Sequence, residues 1–474
     1  MRKNTFTILS TCIVLFLCIG SWLLHIERLE QAMLEYQKAA FDELIDVKFE
    51  VDPKNKWMIY RTLIDKSRTG LTEKDIALIE ELFSYSQAIK IESLLGQSQS
   101  SNLIYEELVR ALPDKNILYD YLQPNMSFYI SRATRRKLSA GYRSLDFAWE
   151  WGYCALAATI AFERTGDERF ALLVLDGFKE ILKYRDSELG IVDETRNRSL
   201  AAWGEQRGSD GVWWNSVTAT GMITYPVAKL LYALDERPNS VADAYPLEVR
   251  KIFVTDILKA LKEFDSTFKS SGDLGWQVMS IDNKIEPLNH THAFAASMFF
   301  IHKITNDQEL HNQLTQLSAF FEHVTTITEQ GTLIWPYGPN LDQKNTYQTD
   351  VENVWKSNIT MLFPLEGSRN SEYFDPAWSH LFANTVKQTV LLNQQKLNTW
   401  FSVSKPRLFS SLDKSDQLEA ASVCMFALLG DEDPEIVSLI EDAVAMREEL
   451  FPGGWLENRV CAVGYASRLV AEKF

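Results

Sequence analysis

Histidine and cysteine are scarce in this 474-residue chain, at 7 and 5 residues. No cysteine pair has the spacing of a metal site. Cys12 and Cys18 lie in an N-terminal apolar run, while Cys154, Cys424 and Cys461 stand far apart in apolar surroundings. At most one disulfide forms among these last three, and buried free thiols are the default expectation. With 21 Gly and 14 Pro the chain is not collagen-like or of low complexity. Positive charge is also short. Lys and Arg total 48 against 64 Asp and Glu, a net charge of −16, which argues against a general nucleic-acid binder. No phosphate loop, dinucleotide fingerprint or Gly-x-Ser-x-Gly elbow occurs, so no cofactor is assigned.

What is present is a globular composition, 46% hydrophobic and 24% charged, with abundant aromatics. Thr5 to Leu24 carries no charge and is long enough to cross a bilayer, about 30 Å as a helix. Arg2 and Lys3 precede it, so the positive-inside rule predicts an uncleaved signal anchor with a cytoplasmic N-terminus. The main domain is then periplasmic or extracellular. Apolar residues from Ile26 to Leu44 recur every three or four positions, as in a helical stalk. The domain expectation is an anchor over 1–26, a stalk and N-terminal helices over 27–102, and one domain over 103–474. Arg132, Arg135, Arg136, Lys137 and Arg143 form a basic cluster, read either as a solvated face or as a groove wall for an anionic ligand.

Beyond residue 103, helical patterns alternate with loops, and period-2 alternation is rare. A weak repeat refines this reading. Phe162-Glu163-Arg164-Thr165-Gly166-Asp167 leads into an amphipathic helix, and His302-Lys303-Ile304-Thr305-Asn306-Asp307 does the same 140 residues later. Gly or Asn ends one helix in the left-handed region and Asp caps the next. A looser copy precedes Glu435. Such hairpins must pack side by side to bury their apolar faces. The predicted fold is all-α: an (α/α) toroid, an incomplete barrel of helical hairpins, preceded by the transmembrane helix and stalk. An open solenoid is the alternative.

Chemistry concentrates in Glu286-Pro287-Leu288-Asn289-His290-Thr291-His292, a polar cluster at the mouth of an apolar helix. The His-x-His pair lacks a third ligand at suitable spacing, so no metal is assigned. Two aromatic-polar segments read as cleft walls or as buried corners. Trp203-Gly204-Glu205-Gln206-Arg207 and Val212-Trp213-Trp214-Asn215 offer Trp203, Glu205, Arg207, Trp214 and Asn215 for sugar contacts. Trp335 lies in Ile334-Trp335-Pro336-Tyr337, and Glu352 in Asp350-Val351-Glu352-Asn353.

Asn289-His290 opening an aromatic, Ala-rich helix resembles the motif of alginate and related uronate-polysaccharide lyases with an α/α toroid, across roughly residues 140–380. The resemblance implies β-elimination on an anionic, uronic-acid-containing polysaccharide. Asn289 would neutralise the uronate carboxylate, His290 would take the C5 proton, and Tyr337, or secondly Tyr225, would act as acid or base. His292 would help bind substrate. The family has an Arg shortly before its catalytic Tyr. None lies between His290 and Tyr337 here, which leaves that role to an Arg of the 196–207 loop. A glycoside hydrolase using Glu205, Asp210, Asp350 or Glu352 remains open, as do a C5-epimerase and a non-catalytic glycan-binding subunit of polysaccharide synthesis or export machinery.

Overall fold

The computed structural model describes residues 114–135, 143–207, 211–339, 341, 352–391, 422–446, 456 and 459–469. All but Asp114 belong to the unit Lys115–Phe474. The expected anchor, stalk and N-terminal helices over 1–102 lie outside the described residues, as do Asp210 and Asp350.

The labelled helices are α1 (Lys115–Arg135), α2 (Gly152–Thr165), α3 (Glu168–Ile181), α4 (Val217–Glu236), α5 (Leu247–Lys262), α6 (Leu288–Thr305), α7 (Gln308–Val324), α8 (Val354–Thr360), α9 (Leu362–Arg369), α10 (Ala377–Thr385), α11 (Pro434–Met446) and α12 (Arg459–Ser467). A 3-10 segment, Ser422–Asp431, precedes α11. Helix α2 packs on α4, α4 on α6, α6 on α8 and α9, and α8 on the 3-10 segment. That segment packs on α12, and α12 returns to α2, so the inner elements close a ring. Helices α3, α5, α7, α10 and α11 each pack on an inner partner from outside.

The predicted fold class is corrected on two points. Among the described residues no helix is long and apolar enough to cross a membrane, so the transmembrane helix is unsupported. The fold is also not purely helical. Three two-stranded antiparallel sheets occupy the connections: β1 (Gly204–Arg207) with β2 (Val212–Asn215), β3 (Phe268–Ser271) with β4 (Leu274–Gln277), and β5 (Thr326–Ile327) with β6 (Leu333–Ile334). Short Gly-punctuated loops hid these strands, because two to four residues are too few to display a period.

The repeated turns share one geometry. Gly166 and Asn306 are left-handed, at φ 63° and 55°. Thr165 and Thr305 donate their hydroxyls to the carbonyls of Ala161 and Ile301. Asp167 accepts from Arg169 N, and Asp307 from Glu309 N and Leu310 N. In the third copy Asp433 receives Glu435 N.

Close inner packing needs absent side chains and one absent donor. A Cβ at Gly221 would lie 2.4 Å from Phe294 N, so only glycine lets α4 approach α6 this closely. Pro226 has no N–H, which leaves the Met222 carbonyl without its helical partner. Gly152 packs there, where a Cβ would sit 2.7 Å from that oxygen.

The ring runs in one direction. Starts meet starts: Arg459 donates to the Trp149 carbonyl just ahead of α2. Ends meet ends: Arg237 beyond α4 donates to Phe162 and Glu163 carbonyls, and Arg164 pairs with Asp431 at 2.6 Å. Cys424 and Cys461 form a disulfide joining the 3-10 segment to α12, while Cys154 is a buried free thiol. The default of free thiols is therefore corrected for two of the three cysteines beyond the N-terminal apolar run.

Candidate active site at the mouth of the ring

The start of α6 holds a carboxylate–imidazole pair. Glu286, 1% exposed, lies four residues before His290 and accepts from its Nδ1 at 2.8 Å. With the Nδ1 proton directed at the carboxylate, Nε2 is the basic nitrogen. The His290 side chain remains 16% exposed, so the ring is anchored on one side and accessible on the other. Tyr337 joins this mouth through its carbonyl, which accepts Leu288 N at 3.2 Å. Lys356 Nζ stands 3.7 Å from the Tyr337 ring centroid and 5.4 Å from that of Trp355. The Trp355 and Trp149 rings meet edge to face at 6.2 Å.

Beneath the mouth the polar groups are sealed. Asn289 is 1% exposed, and its Oδ1 has no hydrogen-bond partner. His292 is buried too. Its Nδ1 donates to the Thr360 carbonyl, its ring meets Phe321 and Phe363 edge-on, and burial lowers its pKa to about 4. Trp335 is 2% exposed and donates its indole N–H to Glu352 Oε2. Burial raises the Glu352 pKa to about 8, so this fully buried carboxyl is protonated at neutral pH. Of the cluster predicted from sequence, His290 and Tyr337 reach the mouth, whereas Asn289, His292, Trp335 and Glu352 form its floor.

Tyr225 belongs elsewhere. Its hydroxyl donates to Glu366 Oε1 at 2.7 Å, within a buried network. Lys229 bridges Glu163 and Glu366, each at 3.1 Å. Arg369, on the same helix as Glu366, pairs with Glu432 at 2.6 Å. Burial, with the adjoining Glu366 charge, holds the Tyr225 hydroxyl protonated. No substrate-facing role for it follows from this position.

The 203–215 segment is a hairpin held from within by two buried aspartates. Asp186 accepts from Trp213 Nε1 at 2.7 Å, and burial raises its pKa to about 6. Asp193 accepts from Asn215 N at 2.9 Å and pairs with Arg196 at 2.6 Å. Trp203 and Trp214 are 2% and 1% exposed, and Trp203 donates to the Ile181 carbonyl. Asn215 is wholly buried, and Glu205 is half-buried opposite Trp214. Arg207 ends β1. These tryptophans are a corner of the core rather than an exposed cleft wall. In the 196–207 loop Arg196 is committed to Asp193 and Arg198 to Glu263. In the basic cluster Arg132 pairs with Asp146 and Glu150, so it is not an isolated positive charge.

Sequence reasoning missed Trp149, Lys356 and the role of Glu286. Phe147-Ala148-Trp149-Glu150-Trp151, an aromatic run entering an apolar helix, carried the same kind of signal as Asn289-His290. Among the described residues no group of three or more His, Cys, Asp or Glu side chains is placed to hold a metal ion. No known protein family, curated protein or solved structure matches this chain.

Proposed function

We propose that this protein cleaves a uronic-acid-containing polysaccharide by β-elimination. The observation that carries the reading is the Glu286–His290 pair, partly exposed at the start of α6, where Leu288 N bonds the carbonyl of Tyr337 and Lys356 stands over the Tyr337 ring. His290 Nε2 takes the C5 proton. The C5–H electron pair becomes the C4–C5 double bond, and the C4–O bond breaks with its electrons on the leaving oxygen. The Tyr337 hydroxyl supplies that oxygen with a proton. Negative charge gathering on the uronate carboxylate is met by Lys356, since the sequence-assigned Asn289 amide lies in the floor. Imidazole suits this work because it exchanges protons near neutral pH.

Of the carboxylates in the hydrolase alternative, Glu352 is 0% exposed and engaged by Trp335, Glu205 is half-buried, and Asp210 and Asp350 lie outside the described residues. The Cys424–Cys461 bond supports folding in an oxidising compartment, as an exported polysaccharide enzyme requires.

The test is absorbance near 235 nm with the full chain on alginate, glucuronan, hyaluronan and pectate polymers. A rise is expected on at least one, abolished by His290→Gln and strongly reduced by Lys356→Met. New reducing ends without that rise would replace elimination by hydrolysis. Solvent deuterium entering the polymer without cleavage would replace it by epimerisation.

A further inference from the structure

Among the described residues only three tryptophans are not buried: Trp149, Trp213 and Trp355. Trp213 is tied to Asp186 in the hairpin. The other two come from separate parts of the chain and meet at the mouth. Their planes stand at 80°, so the two indoles form a near right-angled corner. Trp355 and Lys356 are the half-buried residues of α8, and Val354 and Ser357 on either side are buried. The corner is rigid on the Trp149 side. Arg459 donates to the Trp149 carbonyl and pairs with Glu150 at 2.8 Å, and Arg132 holds Glu150 at 3.2 Å. Trp149 itself stands in a π-helical turn, Phe147–Trp151, a distortion that recurs at functional positions. Its neighbours Phe147 and Trp151 are fully buried and lock that turn.

Resting on the uronate reading of the mouth, we infer that Trp149 and Trp355 are the sugar platform of the site, with Lys356 selecting a uronate there. An indole face packs against the C–H face of a pyranose, and a two-faced corner grips one ring against rotation. Lys356 beside Trp355 places a cation at the edge of a ring stacked there, where a C5 carboxylate projects and a neutral hexose has only a hydroxymethyl group. The platform thus recognises an anionic six-membered sugar, and Tyr337, whose ring meets Lys356, bonds through its carbonyl to Leu288 N at the start of the helix that carries His290.

The experiment is calorimetric binding of borohydride-reduced hexamannuronate, hexaguluronate and hexaglucuronate to the His290→Gln full chain, with cellohexaose as the neutral control. At least one uronate oligomer binds at least tenfold tighter than cellohexaose. Trp149→Ala or Trp355→Ala weakens it tenfold or more, and Trp→Phe at either position restores binding to within about threefold. Lys356→Met brings the uronate oligomer to the level of cellohexaose. Thermal midpoints of the Phe variants check that the fold is retained. Unchanged affinity in both alanine variants overturns the platform, as does failure of every uronate oligomer to bind. Tryptophan-dependent binding without any 235 nm product in the unmodified protein would retain the platform and discard elimination.

Discussion

The two ends of the helical ring solve different problems with different side chains. Where the inner helices end, Glu163, Lys229, Glu366, Arg369 and Glu432 interlock, and Tyr225 adds its hydroxyl. Burial disfavours the Lys229 charge, but the two carboxylates outweigh it and raise its pKa, and Lys229 and Arg369 in turn lower that of Glu366. Where the helices begin, the mouth presents indoles, a phenol ring with the Lys356 ammonium over it, and an imidazole held by a buried carboxylate. Breaking a paired, buried charge exposes its partner to an uncompensated interior, so the first end fixes the fold. The His290 imidazole, held at Nδ1 and 16% exposed, stays in reach of solvent, so the proposed chemistry is assigned to the mouth and the charged end is read as its foundation.

The widest separation between the ends comes from a crossed pair of variants. His290→Gln removes the base and lowers elimination by about 10²–10⁴-fold, with the thermal midpoint little changed. Lys229→Met strands Glu163 and Glu366 and costs about 3–5 kcal/mol of stability, with turnover per folded molecule retained. Chemical denaturation and 235 nm assays on both variants read the result. Equal loss of activity in both would erase the distinction between the ends.

The disulfide ranks next. Cys424 and Cys461 are 37 residues apart and clamp the last inner elements together. Replacing both with alanine removes about 4 kcal/mol by loop-closure entropy, visible as a lower denaturant midpoint under oxidising conditions. No change would mean that the seam is held by packing alone.

The floor of the mouth gives a smaller, pH-dependent effect. Glu352 has a folded pKa of about 8 against an ordinary 4.5, so the unfolded chain releases this proton first as pH rises. Stability from this group falls between pH 4.5 and 8. His292, lowered to about 4, works oppositely, losing stability as pH falls from 6.5 to 4. Above pH 6.5 only the Glu352 slope remains of these two. Glu352→Gln, which keeps an acceptor for Trp335, should flatten the decline between pH 6.5 and 8 in urea titrations. An unaltered slope would remove the buried-carboxyl assignment.

The smallest expected effect is in the turns. Asp167→Ala and Asp307→Ala each forfeit an N-cap worth about 1 kcal/mol. Each variant also gives up an ion pair, Asp167 with Arg169 at 2.7 Å and Asp307 with Lys262 at 2.9 Å, so the two losses should be alike in chemical denaturation. A loss confined to one variant would show that the two turns are not energetically equivalent.

The helical hairpins were legible because their signals are local. Thr-Gly-Asp and Thr-Asn-Asp fix a helix end, a left-handed residue and a cap within three positions. The mouth of α6 was legible for a related reason: polar residues abruptly precede a buried apolar helix, so Glu286, Asn289, His290 and His292 had to lie near its start. Which of them faces outward was not readable, since only two residues, little more than half a turn of helix, separate the sealed His292 from the accessible His290. The strands β1 to β6 were too short to show alternation, and Trp203 and Trp214 looked like a cleft because the groups that hold their segment, Asp186 on Trp213 and Asp193 on Asn215, are brought there by folding rather than by spacing.

By itself the sequence determined the acidic balance, the hairpin turns, the helix starts and the place of His290 at the start of α6. Only the tertiary structure decided that Tyr225 joins Glu366 and Lys229, that Cys424 finds Cys461, and that Trp149 meets Trp355 beside Lys356. Backbone propensities and caps act over a few residues, whereas these contacts bring together positions 37 to 206 residues apart. They arise from close packing of the inner helices, which fixes which side chains share an end of the ring.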